Sequence, residues 1–202
     1  MRILAGLDRD FNDEILLDGR PQQSPSSRIG VIFQEPRLLP WLSVADNVAF
    51  PAGPRRGHDP RVGSLLAEVG LAEARAYFPK QLSSGMAQRV AIARGLFSEP
   101  DLLLDEPFSA VDARTRMRLQ DLLLSLSLVC SHGTAALLVT HDLDEALYLS
   151  DRVLLMTPSG TTGAGWIARE IEVSAARPRD RRDVLLASLR GELLEGLGAI
   201  AA

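Results

Sequence analysis

In the stretch LSSGMAQRVAIARG, Leu82 to Gly95, two serines and a glycine stand directly before a run of good helix formers. Free backbone N–H groups in the first turn of a helix, together with the positive end of its dipole, favour phosphate there. A glycine at that point lets the ligand approach the backbone closely. Ser83, Ser84 and Gly85 are therefore a candidate anion site. A second stretch, DLLLDEP, delivers two adjacent carboxylates at the end of an apolar run. Phosphoryl transfer needs Mg²⁺ to neutralise charge and a carboxylate to position attacking water; Asp105 suits the metal and Glu106 the water. Taken alone, such a pair is as readily a turn cap. The order of the motifs adds weight. One helix fits between Met86 and Asp105, and SAVD, ending at Asp112, follows at once. His141 closes another apolar run 35 residues after Glu106, suited to sensing a phosphate or the attacking water.

A phosphate loop of the pattern G-x-x-x-x-G-K-[ST] needs a lysine after glycine. The sole lysine, Lys80, follows Pro79. The nucleotide met by the candidate anion site is accordingly expected on another chain.

Three short apolar runs must position these residues: RIGVIFQ (28–34), DLLLDE (101–106) and AALLVTH (135–141). Runs of this kind suit parallel strands buried on both faces. Each ends in polar side chains, so Gln34, Asp105, Glu106 and His141 are candidates for one crevice beyond the carboxyl ends of an open sheet. A helical pattern over 113–128 supplies the crossover between the second and third strands. Between Gln34 and the second strand the texture is helical. Ser43 can cap ADNVAF, Asp59-Pro60 can open RVGSLLAEV, and Gly70 can close it. These elements predict an α/β fold with a mostly parallel sheet, flanked by helices and carrying an inserted helical subdomain over about 43–96. After Met156 the pattern reads as a hairpin over 157–173, then an amphipathic terminal helix from Arg177 onward whose arginine cluster forms a solvated face. The hairpin and helix together span about 157–202.

The length suits one domain, alone or with a subdomain. A charged fraction of 24% and a net charge of -4 give no electrostatic case for nucleic acid. Cys130 is the single cysteine, which rules out an internal disulfide and suits a small core residue in a reducing compartment. The apolar stretches fall short of the roughly 20 residues of a membrane helix, so any membrane link is expected through a partner. The opening residues lack the apolar core of a signal peptide, and the chain is expected in the cytoplasm.

Taken together, VIFQEP, LSSGMAQRVAIARG, DLLLDEPFSAVDA and LLVTHDLDEALYLSDRV resemble the Q-loop, signature, Walker B with D-loop, and switch region of the ATP-binding cassette family. The resemblance runs to about Met156. Two departures sit in the signature, where the usual L-S-G-G-Q carries Ser84 for its first glycine and Met86 for its glutamine. More narrowly, FQEPRLLPWLSVADNVAF and RPRDRR look like ATPases of nitrate, sulfonate and taurine importers.

The resemblance implies a P-loop NTPase-like fold, with ATP and Mg²⁺ as cofactors and a second cassette subunit as partner. Ser83 and Gly85 would hold the γ-phosphate of ATP bound to that second subunit, with Leu82, Ser84, Met86 and Asp112 as further nucleotide-binding residues. Gln34, Asp105, Glu106 and His141 would face this chain's own site, with Gln34 and Asp105 toward the metal. Leu38, Leu39, Trp41 and Leu42 would anchor a membrane permease, itself served by a solute-binding protein, at the cytoplasmic face of the membrane. MRILAGL looks like the continuation of the helix that follows G-K-[ST], so the phosphate loop and the strands before it are expected upstream of Met1. The expected activity is ATP-driven import of a small anion. The alternative is a non-hydrolysing subunit that lends its signature to an intact cassette. A DNA-repair ATPase is disfavoured because the 48 residues from Gln34 to Leu82 leave no room for a coiled coil.

Overall fold

The computed structural model describes residues 1–22, 24–53, 56–129, 135–158 and 165–201. Cys130 and the expected hairpin turn at 159–164 lie outside the described residues. The chain forms two compact units, Met1–Val139 and Thr140–Ala202.

In the first unit, Met1 to Leu7 form a single helical turn, with the Ala5 N–H donating to the Met1 carbonyl. A small antiparallel pair follows, β1 (Leu16–Leu17) and β2 (Arg20–Pro21). Asp18 and Gly19 join them, both at positive φ (51° and 72°). That conformation gives a hairpin turn matching the right-handed twist of its strands.

Strand β3 (Ile29–Ile32) leads to helices α1 (Val44–Ala49), α2 (Pro60–Glu68) and α3 (Ser84–Leu96). Their boundaries follow local chemistry. Ser43 Oγ accepts the Asp46 N–H at 3.1 Å, Asp59 accepts the Arg61 N–H at 3.0 Å, and Ser83 Oγ accepts the Met86 N–H at 3.3 Å. Gly70, at φ 67°, closes α2, while the Leu71 N–H reaches back to the Leu66 carbonyl at 2.7 Å. Strand β4 (Asp101–Asp105), helix α4 (Ala113–Val129) and strand β5 (Ala136–Val139) complete the unit.

The sheet is parallel, in the order β3-β4-β5, with Ile29 opposite Asp101 and Asp105 opposite Val139. Gly95 is required where α3 crosses β3, because a Cβ there would lie 2.6 Å from Ile32 Cγ1. Ile32, Leu104, Phe97, Phe108 and Val90 are buried around this contact.

Burial of all three strands on both faces does not hold. Leu137 and Val139 of β5 remain 38% and 42% exposed. Among the described residues β5 is one of the two edge strands of the sheet, β3 being the other, and an edge strand has a neighbour on one side only.

The second unit contains α5 (Leu143–Leu149), the antiparallel strands β6 (Arg152–Pro158) and β7 (Gly165–Glu172), and α6 (Val184–Ala201). Leu147, Ile171, Val173, Leu186 and Leu193 form its core. The hairpin begins at Arg152 rather than after Met156, and the terminal helix begins at Val184 rather than Arg177.

The intervening arginines are not a uniformly solvated face. Arg179 is buried, and its guanidinium donates to the carbonyls of Leu147, Tyr148, Ser150, Val173 and Ala175 and to Asp151. Burial pushes this guanidinium below its ordinary range, chiefly through desolvation. Five carbonyls around one planar donor explain why an arginine sits inside: it satisfies those of Leu147, Tyr148 and Ser150 at the end of α5 and those of Val173 and Ala175 after β7.

Candidate functional site

Strands β3 and β4 run side by side and release their polar residues at the same end of the sheet. Gln34, two residues beyond β3, donates from Nε2 to Glu106 Oε2 at 3.1 Å across 72 residues of sequence. Glu106 sits just past β4 with φ at 43°, in the left-handed region that disfavours a side chain. Its N–H donates to the Val139 carbonyl at 2.9 Å, and its own carbonyl accepts the Ser109 N–H at 3.3 Å. The neighbouring strand end and the following turn thus hold a strained residue, and such strain concentrates where geometry serves chemistry. Asp105, the last residue of β4, is half-buried beside it.

These residues fit a hard divalent cation accompanied by phosphates. With Nε2 turned to Glu106, Gln34 keeps its amide oxygen as the ligand-type end, next to the carboxylates of Asp105 and Glu106. Among the described residues there is no cluster of three or more His, Cys, Asp or Glu able to hold a metal by itself.

The second set lies at the start of α3. Ser83 and Ser84 are exposed, Leu82, Gly85 and Met86 half-buried. A helix offers no internal acceptor to its first N–H groups, so those of Ser84 and Gly85 face outward from the first turn. Ser83 Oγ is occupied by the Met86 N–H. A Cβ on Gly85 would stand 3.2 Å from the Ala110 carbonyl oxygen, so this glycine serves the chain's own packing as well as any ligand. Asp112 is exposed and caps α4, accepting the Thr115 N–H at 3.0 Å. That bond holds its carboxyl below the usual carboxylate range.

His141 belongs to the second unit and is exposed. The backbone on either side of it is fixed locally. Thr140 donates from its hydroxyl to the buried carboxylate of Glu145 and accepts the Asp142 N–H at 3.1 Å. Asp142 caps α5 by accepting the Glu145 N–H at 3.1 Å.

The apolar segment that follows Gln34 is shaped by a residue that sequence reasoning passed over. Asn47 of α1 is completely buried. It accepts the Leu39 N–H at 2.8 Å and donates to the carbonyls of Leu39, Leu42 and Ser43 at 3.0–3.1 Å. Leu38, Leu39 and Leu42 are half-buried on this support, while Trp41 stands 70% exposed. Tyr77, whose carbonyl accepts the Val44 N–H at 2.7 Å, and its neighbour Phe78 are also exposed. Gln88 and Arg94, on the apolar side of α3, were likewise passed over. Gln88 Nε2 donates to the Phe33 carbonyl at 3.1 Å, and Arg94 donates to those of Pro36 (2.8 Å) and Arg37 (2.9 Å). The signal in each case is a polar residue among buried apolar neighbours.

Comparison with known proteins follows the same lines. The ABC transporter family matches residues 1–109. The chain is 64% identical to an aliphatic sulfonates import ATP-binding protein of Burkholderia lata, over 96% of this chain and 70% of that protein. It is 51% identical to another protein so described from Xanthomonas axonopodis pv. citri, over 99% and 80%. Among solved structures, the ATP-binding cassette MJ0796 in a dimeric post-hydrolysis state bound to ADP and Pi superposes with a TM-score of 0.72. Its sequence identity is 27%, with 87% of this chain and 79% of that one covered.

Proposed function

The chain belongs to the ABC transporter family, and from that premise we propose that it is the ATP-binding subunit of an importer coupling ATP hydrolysis to uptake of a small sulfonate-type anion. The sulfonate assignment is supported by the naming of relatives at 51–64% identity. The observation that carries the ATPase reading is the Gln34–Glu106 contact at the ends of adjacent parallel strands, beside Asp105.

In this reading Glu106 positions and polarises the attacking water, and its bond from Gln34 orients the carboxylate. Gln34 and Asp105 would hold Mg²⁺, which when bound with ATP would neutralise phosphate charge. His141 serves as the sensor of the terminal phosphate. Leu82, Ser83, Ser84, Gly85, Met86 and Asp112 meet ATP held by a second cassette, with the N–H groups of Ser84 and Gly85 directed at its phosphates.

Trp41 and the half-buried Leu38, Leu39 and Leu42 form the seat of a permease segment. Large aromatic residues standing out from a supported backbone are typical anchors of such contacts. Among the described residues no helix is long and apolar enough to cross a membrane. Attachment through this seat to the cytoplasmic face, with a solute-binding protein reached only by way of the permease, is the arrangement that fits.

Deletion of the gene should abolish growth on an alkanesulfonate as sole sulfur source and leave growth on sulfate intact. Undiminished growth on the sulfonate, in a strain with no second such importer, would refute the substrate assignment.

A further inference from the structure

Residues 33–37 carry Gln34 away from the sheet, yet this segment belongs to no helix or strand. Its own backbone therefore does not fix it, and most of its fastening comes from α3. Gln88 is completely buried; its Nε2 donates to the carbonyl of Phe33, immediately before Gln34, while its Oε1 has no hydrogen-bond partner among the described residues. Arg94 lies six residues further along α3 and donates from both terminal nitrogens, one to Pro36 and one to Arg37. Arg37 is held at φ 45° with its guanidinium 4.3 Å from the Phe33 ring centroid, which folds the two ends of the segment together. Gln34 thus lies between two anchored carbonyl sites, and its side chain faces Glu106.

A buried amide with an unsatisfied oxygen is an expensive way to fill a core position. Burying such an acceptor without a partner is unfavourable, and an apolar side chain of similar shape would avoid that. The donor half of Gln88 is what a methionine would lack. The same helix starts at Ser84, where the candidate phosphate-binding N–H groups lie.

We propose that Gln88 and Arg94 are positioning residues, which tether the segment bearing Gln34 to the helix that begins at the signature, and so set the orientation of Gln34 toward Glu106. This rests on the reading of Gln34 and Glu106 as parts of the ATP site. Neither residue touches the reacting atoms; each acts through Gln34.

The test uses Gln88→Met, which keeps volume and burial, and Arg94→Lys, which keeps the charge but cannot hold two carbonyls in one planar fork. In the assembled importer, amide hydrogen exchange at residues 34, 35, 37 and 38 should accelerate by about three- to tenfold, the scale of one intramolecular hydrogen bond. Exchange in α1 and β4 should stay as in the wild type. The kcat for ATP should fall roughly tenfold or more with KM little changed, as for a misplaced catalytic group. Adding Gln88→Met to Gln34→Ala should bring no further loss.

Unchanged exchange at 34–38 would overturn the tether, as would a uniform rise across the first unit, which marks a purely structural role. Fully additive losses in the double variant would show that Gln88 does not act through Gln34. If Gln34→Ala itself left turnover intact, the reading of the ATP site would fail, while the exchange result would still decide the tether.

Discussion

Gln34 and His141 both stand just past the end of a strand, both are exposed, and each is held by a different kind of device. The segment around Gln34 is fastened by side chains 55 to 58 residues further along the chain, which donate to its backbone carbonyls. The turn around His141 is fastened by partners at most five residues away: Thr140, Asp142 and Glu145. The first device exists only once α3 has packed on β3; the second forms as soon as α5 does. Orientation of a polar side chain at a strand end can therefore be encoded by tertiary packing or by local turn chemistry, and the two should fail differently when broken.

The largest effect is expected from the long-range device. Arg94→Ala removes a charge-assisted donor shared by two carbonyls and should destabilise the first unit by about 3 kcal/mol. Chemical denaturation followed by a probe in that unit would measure it, and a loss below about 1 kcal/mol would mean that the Pro36 and Arg37 carbonyls find other donors. Thr140→Val keeps the shape but removes both the donor to Glu145 and the acceptor of the Asp142 N–H. A cost of about 2 kcal/mol is expected, with accelerated amide exchange confined to 141–146. If exchange rose equally at 34–38, the contrast between a local and a distant device would collapse.

The smallest effect belongs to a bond spanning two residues. Asp59 caps α2 and is gripped by Arg61, whose side-chain hydrogen bonds hold its carboxyl down from 3.8 to about 2. Because the folded value is the lower one, the contribution of the cap is complete above about pH 4 and is lost as pH falls toward 2. The Arg61 amide resonance should titrate near pH 2 rather than near 3.8. A midpoint at the ordinary value would show that the grip does not persist in solution.

The same contrast explains what could be read from the residues alone. The caps at Ser43 and Asp59, and the closing glycine at 70, are local, and each lies where side-chain type and spacing place it; the cap at Ser83 is equally local but was read only as part of an anion site. The meeting of Gln34 with Glu106 was legible too, because a parallel sheet aligns the carboxyl ends of its strands. Asp18-Gly19 is a strong turn signal that went unread, because the strands it joins are only two residues each.

Gln88, Arg94 and Asn47 stood out only as polar residues among apolar neighbours, and the partners of these three and of Arg179 were out of reach for a physical reason. Their partners are carbonyls that become neighbours only in the folded chain, and a carbonyl carries no sequence information. The exposure of β5 was misjudged on similar grounds, since an apolar run does not say whether a strand lies at the centre or edge of its sheet.

The central claim is that Gln34 and Glu106 together serve ATP hydrolysis, and the most direct measurement is turnover by the assembled importer carrying Glu106→Gln. That change keeps the shape of the side chain and a hydrogen-bonding partner for Gln34, but removes the carboxylate that polarises water. The expected result is a fall in kcat on the order of a hundredfold or more, with nucleotide affinity retained. Turnover within a few-fold of the wild type would contradict the account.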